Sequence, residues 1–139
     1  MTMNDKGIGF PPRIGGRGQV AGRTVGHHGP AVVALGGGHG LSMSLKALRR
    51  LTDDVTAIVG VADDGGSSGR IRSELGLPPP GDLRMALAAL CGDDAWGRTW
   101  SQVMQHRFAG EGEMAGHATG NLLIAALWEE TGNLVAGLD

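Results

Sequence analysis

Short, wholly apolar runs alternate along this chain with longer stretches in which apolar residues recur at helical spacing. Ala31-Val32-Val33-Ala34-Leu35 is a β-branched apolar run of the kind expected for a strand covered on both faces. After the turn Gly36-Gly37-Gly38-His39-Gly40, residues Leu41, Leu45, Leu48 and Leu51 mark one face of a helix, with Lys46, Arg49 and Arg50 on the other. Asp53-Asp54 reads as a polar turn, and Val55 to Ala62 as a second buried strand. Strand, helix and strand of this length make a βαβ unit with parallel strands and a right-handed crossover. Helical spacing returns in Leu83, Ala86, Leu87, Leu90 and Cys91, behind three prolines and Asp82, a helix-capping residue type. It returns again in Trp96, Trp100, Val103, Met104 and Phe108, read as a packing face flanked by solvated His106 and Arg107. Leu122 to Trp128 is apolar all the way round and predicts a helix buried on every side.

Met1 to Gly29 has no such period. It is rich in Gly, Arg and Pro, and composition predicts a disordered, modestly basic tail in which His27 and His28 are solvated. Residues 30–139 then form the ordered part. With 139 residues and 41% hydrophobic content the chain has the size of one domain, and no segment is long and apolar enough to cross a membrane as a helix. A net charge of −2 gives no electrostatic reason to expect nucleic acid as a partner. A single cysteine, Cys91, excludes an internal disulfide; with no secretory signal pattern at the N-terminus, it makes the cytoplasm the expected compartment.

The polar residues that the core does not need lie in three loops. Gly36, Gly37, Gly38, His39 and Gly40 follow the first strand and open a helix, the geometry that points backbone N–H groups at an anion. They match neither the dinucleotide fingerprint, whose third glycine would fall at Leu41, nor the P-loop. A tight packing turn remains the alternative. Asp63-Asp64-Gly65-Gly66-Ser67-Ser68-Gly69-Arg70 follows the second strand, so parallel pairing brings both loops to one carboxyl edge, where doubly wound folds bind ligands. Asp63 suits ribose hydroxyls or Mg²⁺, and one of Ser67 and Ser68 suffices to cap the next helix. Arg70 either grips a phosphate or carboxylate or pairs with Glu74. Arg84 sits in a helical first turn, where a cation is disfavoured, and that points to an anionic ligand or a buried partner. In the third loop His117 is either a general acid/base or a satisfied structural histidine. Thr119, Asn121 or a bound anion would satisfy the first N–H groups of the helix opening beside Gly120.

Three segments in this order, ALGGGHGLS (Ala34 to Ser42), VADDGGSSGRIRSELGLPPPGDLR (Val61 to Arg84) and GHATGNLL (Gly116 to Leu123), resemble the YvcK/CofD-like family. That family comprises gluconeogenesis factors, which bind UDP-sugars and support cell-wall growth and cell shape, and 2-phospho-L-lactate transferases. CGDDAWGRTW and QHRFAGEGEM resemble the actinobacterial branch of the gluconeogenesis factors. His39 stands where the family more widely has Thr, and the second acid is often Asn in that branch, which favours Asp63 over Asp64 as the functional carboxylate. The resemblance implies an α/β, Rossmann-like parallel sheet with flanking helices and a UDP-sugar or other nucleotide-diphosphate ligand. The phosphate side of that site would comprise Gly36 to Gly40, Gly65, Gly66, Ser67, Ser68, Arg70, Arg84, His117, Gly120 and Asn121, with Asp63 as the candidate Mg²⁺ ligand. The alternative it implies is transfer of a phospholactyl group from a nucleotide diphosphate to a deazaflavin. Family members are considerably longer, so these residues are expected to be the N-terminal part of a larger single domain that could assemble as a homo-oligomer. Two strands alone are also expected to leave apolar surface uncovered on Val55–Val61 and around Leu122 to Trp128.

Overall fold

The computed structural model describes residues 29–138. The tail expected to be disordered lies outside them, apart from Gly29, which rests against Leu51 and Thr52. Strands β1 (Val32–Gly36) and β2 (Val55–Val59) pair in parallel, Val32 opposite Val55 and Gly36 opposite Val59. Helix α1 (Gly38–Leu48) makes the crossover, and α2 (Gly66–Leu75), α3 (Gly81–Leu90), α4 (Ala95–Gln105) and α5 (Thr119–Thr131) follow. This is the α/β arrangement that the periodicity predicts. Leu41 and Leu45 of α1 and Ala86 and Ala89 of α3 form the core, closed by Ala34, Val55, Ala57 and Val59 of the sheet. Small residues on α3 let it approach α1 closely.

Several expectations are corrected. Strand β2 stops at Val59 because its partner stops first: Gly60 N–H donates to the Gly36 carbonyl at 2.7 Å, and Val61 and Ala62 beyond it are exposed loop. The described residues cover one face of the sheet. Leu35 is 79% exposed and Ile58 52%, because α1 and α3 both pack on the opposite face. Leu51 lies past the end of α1 and is exposed. The Trp96–Phe108 face packs only in part: Val103 and Met104 are half-buried, with Met104 against Gly120, while Trp96 is 68% exposed and meets Trp100 edge-on at 5.7 Å. Gly97 against Gly92 and the Ser101 hydroxyl donating to the Ala88 carbonyl at 2.9 Å also seat α4. Phe108 falls outside that helix. In α5, Ile124, Ala125 and Trp128 are buried while Leu123 and Leu127 are exposed, so that helix is not enclosed on all sides by the described residues.

The open sheet face invites association, since among the described residues both strands are edges and Val33, Leu35 and Ile58 are exposed on it. Leu35 and Ile58 are register partners on that face. We expect Leu35→Lys with Ile58→Glu to leave stability within about 0.5 kcal/mol of wild type, as surface substitutions do. The same pair should shift self-association to higher protein concentration. Urea titration and sedimentation over a concentration series check both, and equal association in the two proteins would show that the face is not sticky.

Candidate functional site

The two loops predicted to share the carboxyl edge do so. Gly38, His39, Ser42, Met43 and Lys46 of α1 form one wall of a cleft of about 650 Å³. Asp63, then Asp82, Arg84 and Met85 of α3, then Gln105 and Arg107 complete it. This volume lies within the usual range for small-molecule sites, about 300–1,000 Å³. Gly38 has φ +57°, a left-handed conformation that allows the chain to turn from β1 directly into α1. Gly37 is the N-cap of α1 and provides no side chain to it, so the first N–H groups of the helix are open to an acceptor in the cleft. The glycine turn is thus the first turn of the helix itself.

Asp63 is held in place from both oxygens. Oδ1 accepts from Gly65 N–H at 3.2 Å and Oδ2 from the Ser68 hydroxyl at 3.0 Å. Each oxygen keeps a lone pair for the cleft. Gly81 has no room for a side chain, because a Cβ there would lie 2.5 Å from Ser68 Oγ and overlap the Asp63 carboxylate. Asp64 is exposed and does not line the cleft.

Behind the cleft is a buried network whose proton positions follow from counting. The Asn121 Nδ2 group donates to Ser67 Oγ at 3.1 Å and to Ser68 Oγ at 3.3 Å, using both its hydrogens. Its Oδ1 accepts from Arg84 Nε at 2.9 Å, and Arg84 also donates to Gln105 Oε1. Ser67 Oγ accepts a second bond from Ala118 N–H at 3.2 Å, so its own hydrogen goes to His117 Nδ1, 3.0 Å away. His117 is therefore the neutral tautomer protonated at Nε2. Its pKa is lowered by burial first and by the positive charge of Arg70 second, with Glu74 opposing. That of Arg84 is lowered by burial first and Arg107 second, with Asp63 and Asp82 opposing.

The network corrects four local readings. Neither Ser67 nor Ser68 caps α2, whose N-cap is Gly65; their hydroxyls turn inward to partners some fifty residues away. Asp82 does not cap α3, whose N-cap is Pro80; its carboxylate lies against Gly37 and faces the cleft. Neither Thr119 nor Asn121 caps α5, whose N-cap is Ala118, and Thr119 Oγ1 is buried without a hydrogen-bond partner among the described residues. Arg70 forms no ion pair with Glu74 among the described residues and does not line the cleft. It donates to the carbonyls of Glu113 and Ala115, both at 2.8 Å, and so ties the third loop to α2.

Of the predicted site residues, Gly38, His39, Asp63 and Arg84 line the cleft. Ser67, Ser68, His117 and Asn121 stand behind it in the network. Gly120 packs against Arg84 and Met104 with no room for a side chain, and Gly36, Gly40, Gly65 and Gly66 shape the loops. Sequence reasoning missed Lys46, Asp82, Gln105 and Arg107. Lys46 had a signal, since Gly38, Ser42 and Lys46 are spaced four apart and share a helix face. Arg107 had none.

The lowered His117 pKa sets a pH dependence. Above about pH 6.5, the ordinary histidine value, folded and unfolded states both hold the imidazole neutral. Below it the unfolded chain binds a proton that the folded chain resists, so stability falls with pH until the folded pKa is passed. Melting temperatures between pH 7.5 and about pH 5.5 should show this fall in wild type and a flatter profile in His117→Asn, whose amide oxygen can take the place of Nδ1. Identical slopes would remove His117 as the cause.

Comparison with known proteins identifies the family. A family profile described as 2-phospho-L-lactate transferase CofD matches residues 32–139. A Mycobacterium leprae protein is 64% identical over 110 residues, 79% of this chain and 31% of that protein. The Bacillus subtilis gluconeogenesis factor is 48% identical over 104 residues, 75% of this chain and 32% of its own length. A crystal structure of a Bacillus halodurans protein superimposes with a TM-score of 0.72 at 46% identity, covering 80% of this chain and 35% of that one. The chain thus spans about a third of the length of these relatives. With a family profile over most of its residues and gluconeogenesis factors among its relatives, the chain belongs to the YvcK/CofD-like family.

Proposed function

We propose that the cleft holds the diphosphate of a nucleotide ligand, a UDP-sugar, and that the protein acts in the cytoplasm as a regulator joining carbon metabolism to cell-wall growth and cell shape. One observation carries this reading. Lys46, Arg107 and the open N-terminus of α1 meet the carboxylates Asp63 and Asp82 in a single cleft at the carboxyl edge of the sheet. Cations and helix N–H groups suit phosphate oxygens. The two carboxylates are hard oxygen donors that fit Mg²⁺. Among the described residues no group of three or more metal-ligating side chains occurs, so the ion would be shared with the ligand's phosphates, a common arrangement for Mg²⁺. Bound there, the ion would neutralise charge between diphosphate and carboxylates; Asp63 would hold it and Lys46 and Arg107 would orient the phosphates.

A second reading is phospholactyl transfer from a nucleotide diphosphate to a deazaflavin. The Asp63–Asp82 pair in a family described by that transferase favours it. Release of a nucleoside monophosphate in the presence of the deazaflavin would separate transfer from regulation.

Pyrophosphate with Mg²⁺ probes the diphosphate part of the site on this chain directly. We expect calorimetry to show Lys46→Gln and Arg107→Gln each binding about tenfold more weakly than wild type, the loss of roughly one charge-assisted contact. The Lys46 ammonium makes no hydrogen bond within the described residues, so its loss reports on ligand rather than fold. Unchanged affinity in both variants would contradict the assignment.

A further inference from the structure

A second basic hollow lies at the junction of α1, α3 and α4, on the far side of Lys46 from the cleft. Lys46, Arg49, Arg50 and Arg98 line it with Asp93 and Ser101, and its volume is about 150 Å³. At about 30 Å³ per water, that is space for a phosphate-sized ion with a few waters. Four cations converge there: Lys46 from α1, Arg49 and Arg50 from the turn that ends it, and Arg98 from α4. Among the described residues only Arg49 has a carboxylate within 4 Å, Asp93 at 3.8 Å, and the Asp93 side chain is 91% exposed. Such a pair in water gains little, and among the described residues no carboxylate lies within 4 Å of the other three cations.

Two of the guanidinium groups are anchored at fixed points. Arg49 Nη1 donates to the Ala89 carbonyl at 3.2 Å, and Arg98 Nη1 donates to the Asp93 carbonyl. Anchoring by one nitrogen leaves the other N–H donors of each fork available, and it lowers the ordering cost of binding. Compensating the carbonyl end of α3 accounts for Arg49 alone. It does not explain Arg50, Lys46 or Arg98 around the same small space.

We propose that this hollow is a second anion site, distinct from the cleft, that takes a small phosphate dianion: inorganic phosphate or the phosphate group of a monoester. The guanidinium forks of Arg49 and Arg98 would share its oxygens, with Arg50 and Lys46 supplying charge.

The test is an amide-resolved NMR titration of this chain at constant ionic strength, with inorganic phosphate and separately with glycerol 3-phosphate replacing chloride. The amides of Gly92, Asp93 and Arg98 should shift saturably, and the tighter of the two probes identifies the source of the phosphate. Arg50→Gln with Arg98→Gln, both exposed and outside the cleft, should weaken that binding at least tenfold. The same variant should leave the response of the His39 and Gly40 amides to Mg²⁺-pyrophosphate unchanged. Lys46 is not used because it lines both spaces. Shifts at Gly92–Arg98 that are linear and reproduced by chloride, or saturable binding that the double variant does not weaken, would overturn the proposal. Pyrophosphate failing at His39 while phosphate saturates Gly92 would overturn the cleft reading alone.

Discussion

Asn121→Ala is expected to cost about 3–5 kcal/mol, a large part of the ~5–15 kcal/mol that holds a typical domain together. Asn121 is 1% exposed and joins α2, α3 and α5 through one amide. Removing it leaves Arg84 Nε without its acceptor in a buried position, and each buried group left unsatisfied costs about 1–3 kcal/mol, more when charged. Ser67 and Ser68 each lose a donor as well. The cavity is small, so lost packing is the minor part. Urea denaturation measures it. A loss under about 1 kcal/mol would mean that water replaces the amide and that the network is not structural. The same substitution should weaken pyrophosphate binding even in molecules that remain folded, because Ser68 steadies Asp63 and Asn121 steadies Ser68.

The network also marks where the sequence stopped being legible. The apolar runs of β1 and β2 and the leucine period of α1 located these elements, though not their ends or the open sheet face, because each is a local pattern with one physical cause. Parallel pairing of those strands then placed Gly38 and Asp63 at one edge without any long-range information. Ser67, Ser68 and Asp82 were misread for the opposite reason. Each is a good N-cap by local preference, but what decides their orientation is His117, Asn121 and Gly37, distant in sequence. Arg107 lies at the end of a segment whose period says only that it is not core. It reaches the cleft because Arg107 pairs with Ala118 in a short antiparallel bridge, which no local pattern announces. Leu123 and Leu127 show the converse. Their all-apolar surroundings predict enclosure, and the described residues leave them exposed beside Leu87, Trp100 and Met104.

In the proposed function Asp63 works at the phosphate side of the cleft through a divalent cation. Asp63→Asn tests it with little disturbance to the loop, since Asn Oδ1 can accept from Gly65 N–H while its Nδ2 donates to Ser68 Oγ. Calorimetric titration of wild type and variant with pyrophosphate, once in Mg²⁺ and once in EDTA, is the direct measurement. We predict that the variant binds at least about tenfold more weakly in Mg²⁺, a difference of ~1.4 kcal/mol or more, and as well as wild type in EDTA. Equal weakening in both buffers would contradict the metal role, and no weakening in either would contradict a role for Asp63 in binding altogether.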